Sequence, residues 1–407
     1  MNITEIKGGV TAAKGFEAAA AAAAIKYQGR TDMALVYSEK PCHAAGTFTT
    51  NIVKAAPVKW DQKIVKESPY AQAVIVNSGI ANACTGEEGM GYCKETAEEA
   101  AKVLGVPENA VLVASTGVIG MQLPMDRLKK GISLLKEAKG STPEHGTAAS
   151  KAIMTTDTVN KEIAVQVELG RKTVTVGGMC KGSGMIMPNM ATMIAVITTD
   201  APVEPAALHA LLLSTVKQTF NKVTVDSDTS TNDTCIMLAS GAAAADAEPI
   251  VEGSDAFDEL AFAVHEVCES LARNIAADGE GASKLVTVNV TGAANDEEAD
   301  IAARAVANSP LVKTCIAGHD CNWGRVAMAL GKCGVKFNQE DVSIDMMGMP
   351  VCRDGLTVPF DEDEALRRFE APEIVISADL GAGDAATTVW TCDLTHEYIS
   401  INGDYRS

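Results

Sequence analysis

Aromatic residues make up only 4% of this 407-residue chain, while Ala, Val, Met and Gly are abundant. Such an interior has few large rings to close around and favours helices lying close against sheets. Basic residues are also outnumbered, 34 Lys and Arg against 53 Asp and Glu, for a net charge of −19. That balance argues against a nucleic-acid partner, because phosphate binding needs clustered Lys and Arg. Acidity by itself names no partner; it keeps a protein soluble. No apolar run reaches the roughly 18 residues that a membrane helix needs. Met1 to Gly9 holds Glu5, one lysine and no apolar core, so no secretory leader is expected.

Motifs are missing as well. The eleven cysteines form no Cys-x-x-Cys pair and show no metal-ligand spacing with the six histidines. Cys315 and Cys321 flank His319, but a zinc site there would lack its remaining ligands. Scattered cysteines in a chain of this size fit a reducing compartment, where they serve as small core residues; a cytoplasmic location is the expectation. No Gly-x-Gly-x-x-Gly joins a strand to a helix, no phosphate-loop lysine motif occurs, and Gly182-Ser-Gly184 is too short to stand for one.

What is present is an apolar fraction of 47%, enough for a sizeable interior. The length points to two domains, or to one with a large extension. Strands are expected at Ala34–Tyr37, Ala73–Val76, Ala110–Ala114, Met193–Thr199, Lys222–Val225, Leu285–Val290 and Val312–Ile316, with a hairpin over Glu162–Glu168 and Lys172–Val176. Helices are expected near Thr96–Leu104, Asp126–Lys139, Pro143–Met154, Pro205–Gln218 and Glu298–Ala307. Ser254 is placed to cap a long helix ending near Ala277. The alanine tract Ala18–Ala24 is read either as helix or as a small-residue packing surface. From Val342 onward the pattern is mostly short strands, and the chain is expected to finish on one. Without regular βαβ spacing, the fold class is α+β, with sheets sandwiched by helices.

The chain is organised around Lys181-Gly-Ser-Gly-Met185 and the Pro188-Asn-Met-Ala-Thr192 that follows, which leads into a buried strand. A hydroxyl held at the mouth of such a strand, that of Thr192, is a plausible nucleophile; most such threonines simply begin a strand, and local sequence leaves both readings open. Asn77 to Gly86 leaves another buried strand as a loop dense in small and polar residues, a good place for a site and also ordinary turn chemistry. Ser115-Thr-Gly117 ends a further strand, where Thr116 and Gly117 can aim a hydroxyl and a backbone N–H at developing negative charge, although a plain turn has the same sequence. Asp226 to Thr234 packs acids and amides among hydroxyls without the spacing of a calcium loop. Glu280 stands between two glycines, where backbone can approach a ligand closely. His319 and Asp320 are read as a solvated loop in preference to a triad.

These stretches together resemble the ornithine acetyltransferase (glutamate N-acetyltransferase) family over essentially the whole chain. The likeness rests on Gly8-Gly-Val-Thr-Ala12, Asn77-Ser-Gly79, Ala81-Asn-Ala-Cys-Thr-Gly86, Ser115-Thr-Gly-Val-Ile-Gly120, Met154-Thr-Thr-Asp-Thr158 and Gly177 to Met185. It continues through Pro188 to Met193, Asp226 to Thr234, Asp320-Cys-Asn-Trp-Gly-Arg325 and Asn402-Gly-Asp-Tyr405. Ile80 departs from it, standing where the family pattern has a polar asparagine. Ser407 stands where many members end on threonine, and keeps the hydroxyl.

The resemblance implies a layered helix/sheet/sheet/helix sandwich, as in that family and in self-processing aminopeptidases, with a smaller C-terminal α/β lobe. It implies self-cleavage between Ala191 and Thr192 into an α fragment, 1–191, and a β fragment, 192–407, that stay together and associate further as α2β2. Thr192 would then be the nucleophile and its new α-amine the base. Acetyl would pass from N2-acetylornithine to L-glutamate in a ping-pong cycle needing no metal or organic cofactor. Thr116 and Gly117 would stabilise the oxyanion; Thr155, Lys181, Thr192, Glu280, Asn402 and Ser407 would bind substrate, with Lys181 facing an α-carboxylate and Glu280 an ammonium. Some members also take acetyl from acetyl-CoA, and no adenine or pantetheine signature decides that here. Two other readings stay open: a self-processing amidase or aminopeptidase of similar fold, and a non-catalytic amino-acid-binding protein.

Overall fold

Where consecutive strands re-pair decides this architecture. The computed structural model describes residues 3–68, 70–170, 172–187, 193–244 and 247–404. The chain divides into two compact units, one of Met1–Gly182, Pro188–Asn221 and Thr229–Leu271, the other of Ser183–Met187, Lys222–Asp228 and Ala272–Ser407. The fold is mixed α+β, with one sheet in each unit.

In the first unit the order is β1 (Ile3–Ile6), β2 (Phe16–Ala21), β3 (Met33–Phe48), α1 (Ala56–Glu67), β4 (Tyr70–Asn77), α2 (Gly86–Leu104), β5 (Val111–Ser115), α3 (Met125–Ala138) and α4 (Pro143–Ala152). Then come β6 (Lys161–Leu169), β7 (Lys172–Lys181), β8 (Ile194–Thr199), α5 (Pro205–Gln218), β9 (Thr234–Ala239) and α6 (Asp255–Ala277), within which the division of units falls. The sheet runs β1-β6-β7-β8-β9-β3-β4-β5, with β2 paired to β3. β7 and β8 pair antiparallel from Lys181↔Ile194 to Val176↔Thr199, and β8 pairs parallel with β9 from Ile194↔Thr234. Strands from either side of position 192 therefore share one hydrogen-bonded sheet.

Of the alanine tract, Ala18–Ala21 is strand, not helix, paired with β3 over Phe16↔Ser38 to Ala21↔Met33, and 22–24 carry no regular structure. Ladder pairing overrides alanine's helix propensity. The long β3 pairs with β4 at its start and with β9 at its end, which spreads one core over both halves of the sheet. That core is built from fully buried Leu35, Ile75, Leu112, Leu128, Ile132 and Leu135. Ser254 caps α6 as expected, its hydroxyl accepting the Phe257 N–H at 3.2 Å.

The second unit contains β10 (Leu285–Ala293), α7 (Asp296–Ala307), α8 (Pro310–Ala317), α9 (Trp323–Gly331), β11 (Ser343–Met346), β12 (Met349–Arg353) and β13 (Leu356–Thr357). It continues with α10 (Glu362–Arg368), β14 (Glu373–Asp379), β15 (Ala385–Cys392) and α11 (His396–Gly403). Its sheet is ordered β13-β12-β11-β14-β10-β15, the smaller α/β lobe. Three expectations fail here. Val312–Ile316 is helical, because Ser309 accepts the Val312 N–H at 3.4 Å and Pro310 opens the first turn. Lys222–Val225 forms only an isolated bridge, Val223 to Trp390, after a 3-10 turn. Instead of a last strand, α11 follows β15, started by Thr395, whose hydroxyl accepts the Glu397 N–H. Isoleucines within that segment mimic strand composition, but they lie on an exposed helix.

Eight of the eleven cysteines are buried, and none forms a disulfide. No helix of the described residues is long and apolar enough to cross a membrane.

Leu112 on β5 has no exposed surface and fixes the strand that ends at Ser115. Leu112→Ala is expected to cost about 2–5 kcal/mol, read as a lowered midpoint in denaturant unfolding.

Candidate active site

The turn after β5 is shaped by glycine. Gly117 has φ +125°, and a Cβ there would lie 2.2 Å from the Gly79 carbonyl carbon, so no other residue fits without moving the 77–80 loop. Thr116 N–H donates to Asn77 O at 3.0 Å, and Val118 N–H to Gly79 O at 3.1 Å. Thr116 has thus spent its backbone donor, and its half-buried hydroxyl is what it can offer. The Gly117 N–H has no partner among the described residues. Ile80 is buried and bridges to Thr116 and Val118, so an apolar side chain supports the turn at the position that departs from the family pattern.

Below this turn Ser115 Oγ donates to Asn77 Oδ1 at 2.6 Å, and Asn77 Nδ2 donates to Ile80 O at 2.8 Å. Asn232 then ties the two loops together, donating from Nδ2 to Ala81 O at 2.6 Å and to Ser115 O at 2.8 Å. The next residue but one, Thr234, donates its N–H to Met193 O at 2.9 Å. Residues 232–234 therefore link the Thr116 turn to the strand that follows position 192.

Lys181 ends β7 and is 8% exposed. Its ammonium lies 3.9 Å from Asp157 Oδ2. Asp157 also accepts Lys161 Nζ at 2.8 Å and Gly182 N–H at 2.7 Å through Oδ1, and Thr155 N–H at 3.0 Å through Oδ2. Its side chain has no exposed surface. Burial alone would raise its pKa, but Lys181 and Lys161, with those hydrogen bonds, hold it well below the usual carboxylate range. Asp157 thus brings together Thr155 and Lys181, two residues the sequence reading selected, although it was not itself selected. Its sequence context, Thr-Thr-Asp-Thr ahead of a strand opening on Lys161, reads the same for a solvated acid as for a buried one.

Within the second unit, Asn402 Nδ2 donates to Glu280 Oε2 at 2.7 Å, which brings together two residues 122 positions apart in sequence. Gly184 makes room for it: a Cβ there would lie 2.2 Å from the Glu280 carboxyl carbon. Glu280 N–H donates to Ser183 O at 2.9 Å, and Thr395 Oγ1 to Gly281 O at 2.6 Å. Asp226 accepts the Met185 and Ile186 N–H groups at 2.6 and 2.8 Å and faces the Tyr398 hydroxyl at 3.3 Å. Burial and the Asp226 and Glu280 carboxylates push the Tyr398 phenol up, so it stays protonated. A carboxylate with an amide beside it suits an ammonium group.

Ala191, Thr192 and Ser407 lie outside the described residues. His319 and Asp320 form no triad: Asp320 is exposed and accepts Asn322 Nδ2 at 3.0 Å. Among the described residues no group of three His, Cys, Asp or Glu is arranged to hold a metal ion.

The candidate site thus combines a glycine-shaped donor turn, a buried Asp157–Lys181 pair and a Glu280–Asn402 hydrogen bond. The model of the ArgJ family matches residues 17–407. The arginine biosynthesis bifunctional protein ArgJ of Symbiobacterium thermophilum is 49% identical over 405 residues, 99% of each chain. That of Synechococcus sp. is 43% identical over 412 residues, covering 99% of this chain and 98% of its own. A crystal structure of ornithine acetyltransferase from Mycobacterium tuberculosis, complexed with ornithine, is 44% identical, covers 47% of this chain and 100% of that one, and superposes with a TM-score of 0.44. The chain belongs to the ArgJ family, and it is an enzyme of arginine biosynthesis.

Asp157→Asn tests the acid at the centre of this arrangement. Removing one partner of a buried pair leaves charge uncompensated and is expected to cost about 3–5 kcal/mol at neutral pH. Because its folded pKa is depressed, the contribution is present above the unfolded value of about 3.9 and is lost as pH falls through the lower folded one. The stability gap between wild type and variant should narrow steadily below about pH 4, measured by urea unfolding across pH.

Proposed function

We propose that the protein is a glutamate N-acetyltransferase that moves acetyl from N2-acetylornithine to L-glutamate, after cutting itself between Ala191 and Thr192. The observation that carries the reading is family membership over residues 17–407, with relatives named for arginine biosynthesis. The chemistry of the described residues supports it.

The Thr192 Oγ attacks the acetyl carbonyl carbon, and its proton passes to the freed α-amine, whose ordinary pKa of about 7.7–8.0 suits it as a base. The tetrahedral oxyanion takes hydrogen bonds from the Thr116 hydroxyl and the Gly117 N–H. The C–N bond to ornithine then breaks, the proton moves from the amine to the departing nitrogen, and acetyl-threonine remains. The glutamate amine attacks that ester in a second, symmetric step and leaves as N-acetylglutamate, restoring the hydroxyl. Lys181, neutralised from behind by Asp157, serves an α-carboxylate, and Thr155 stands beside it. Glu280 with Asn402 serves an ammonium, and Ser407 contributes a terminal hydroxyl.

The relatives' designation as bifunctional supports acetyl-CoA as a second acetyl donor. No resident cofactor enters the cycle, and an α2β2 assembly in the cytoplasm completes the proposal.

Intact mass and N-terminal sequencing of wild type and Thr192→Ala test this reading. Two fragments are expected from wild type, one beginning Thr192-Met193, and none from the variant, which should also lose transfer. An uncut wild-type chain of full activity would overturn it, and release of acetate from N2-acetylornithine without need of glutamate would make the enzyme a hydrolase instead. Gly117→Ala, which forces a Cβ onto Gly79, is expected to lower the transfer rate by about 10²–10³-fold in an ornithine-release assay.

A further inference from the structure

β5 is the last strand of its sheet, paired with β4 over Ala73↔Val111 to Asn77↔Ser115. The open side of such a strand presents N–H and C=O groups that no ladder satisfies. Two consecutive side chains of α1 meet them. Trp60 Nε1–H donates to Val111 O at 3.1 Å, and Asp61 Oδ1 accepts the Val113 N–H at 2.8 Å. Asp61 has no exposed surface, and among the described residues its Oδ2 has no hydrogen-bond partner. Burial pushes its carboxyl well above the usual carboxylate range, so it sits as a neutral acid with no need of a cation. A fold keeps such a group for a reason, and the bond it makes is to β5.

The N-terminal end of α1 holds what lies beyond the turn. Ala56 N–H donates to Asn82 O at 3.1 Å. Ala55 and Val58 share a buried cluster with Ala81 and Ala83, against which Ile119 packs. Ala81 N–H in turn donates to Val118 O at 3.0 Å, and Gly120 N–H to Ala83 O at 2.9 Å. One helix therefore grips the chain entering the turn, at Val111 and Val113, and through the 81–83 loop the chain leaving it, at Val118 and Gly120. Thr116 and Gly117 lie between the two grips. Donors to an oxyanion act by being fixed before the charge develops, and a displacement of about 1 Å can cost about 10²-fold in rate.

We propose that Trp60 and Asp61 are positioning residues for the donor turn: by binding β5 from α1 they hold the Thr116 hydroxyl and the Gly117 N–H where the oxyanion forms. The inference rests on the oxyanion role given to that turn above.

Asp61→Leu keeps a side chain of similar length and leaves the Val113 N–H without an acceptor. In enzyme cut like wild type, kcat for transfer from N2-acetylornithine should fall about 10–100-fold with KM nearly unchanged. Asp61→Asn, which keeps an oxygen for Val113, should recover most of that loss. Because the effect runs through the turn, adding Asp61→Leu to Gly117→Ala should cost less than about twofold more, whereas general loosening would multiply the two losses. A wild-type kcat in cut Asp61→Leu, or losses that multiply, would overturn the proposal. Where Asp61→Leu fails to fold or stays uncut, Trp60→Phe decides, since it keeps a ring and loses the bond to Val111. A lowered kcat at unchanged KM in that variant supports the proposal, and an unchanged kcat overturns it. Gly117→Ala at the wild-type rate would instead sink the oxyanion role of the turn, so the two failures are distinguishable.

Discussion

A carboxylate with no exposed side-chain surface must either take up a proton or be surrounded by positive charge and N–H donors. Asp157 takes the second course, accepting from Lys161, Gly182 and Thr155 and pairing with Lys181. It pins the end of β7, and β7 in turn pairs with β8 at Lys181↔Ile194. Strands that precede and follow the proposed cut, β7 and β8, thus pair within one sheet. Cleavage of one peptide bond would leave that ladder and its core intact, which gives a physical reason for two fragments to remain one protein.

Two buried acids, Asp157 in the loop before β6 and Asp233 immediately before β9, behave in opposite ways. Asp157 is held ionised by two lysines, whereas Asp233, buried with an unpartnered oxygen, is pushed toward its neutral form. Lys181 pairs with Asp157. Asn232, beside Asp233, ties Ser115 and Ala81 together, so the donor turn at Thr116 and Gly117 is braced from the same short segment.

Much of this was legible in the sequence where periodicity and turn chemistry agreed. The β6–β7 hairpin, α3, α4, α5 and the Ser254-capped α6 fell where apolar spacing and capping residues placed them. The failures have particular causes. Ala18–Ala21 is strand because β3 offers it a ladder, a tertiary effect that propensity does not contain. Val312–Ile316 looked like a strand because it is β-branched, but Ser309 and Pro310 start a helix there. Glu280 and Asn402 were each selected, and their hydrogen bond shows why two distant positions belong together. Asp157 and Asp233 escaped notice because an acid among hydroxyls reads the same whether it is solvated or buried. Burial is what separates the two, and sequence does not carry it.

The central claim is that acetyl resides on Thr192 between two half-reactions. The most direct measurement is intact mass of the fragment beginning at Thr192 after mixing the enzyme with N2-acetylornithine in the absence of glutamate. The account predicts that this fragment gains one acetyl group as ornithine is released, and that adding glutamate removes it. Transfer that proceeds only when both substrates are present together, with no acetylated fragment at any time, would contradict it.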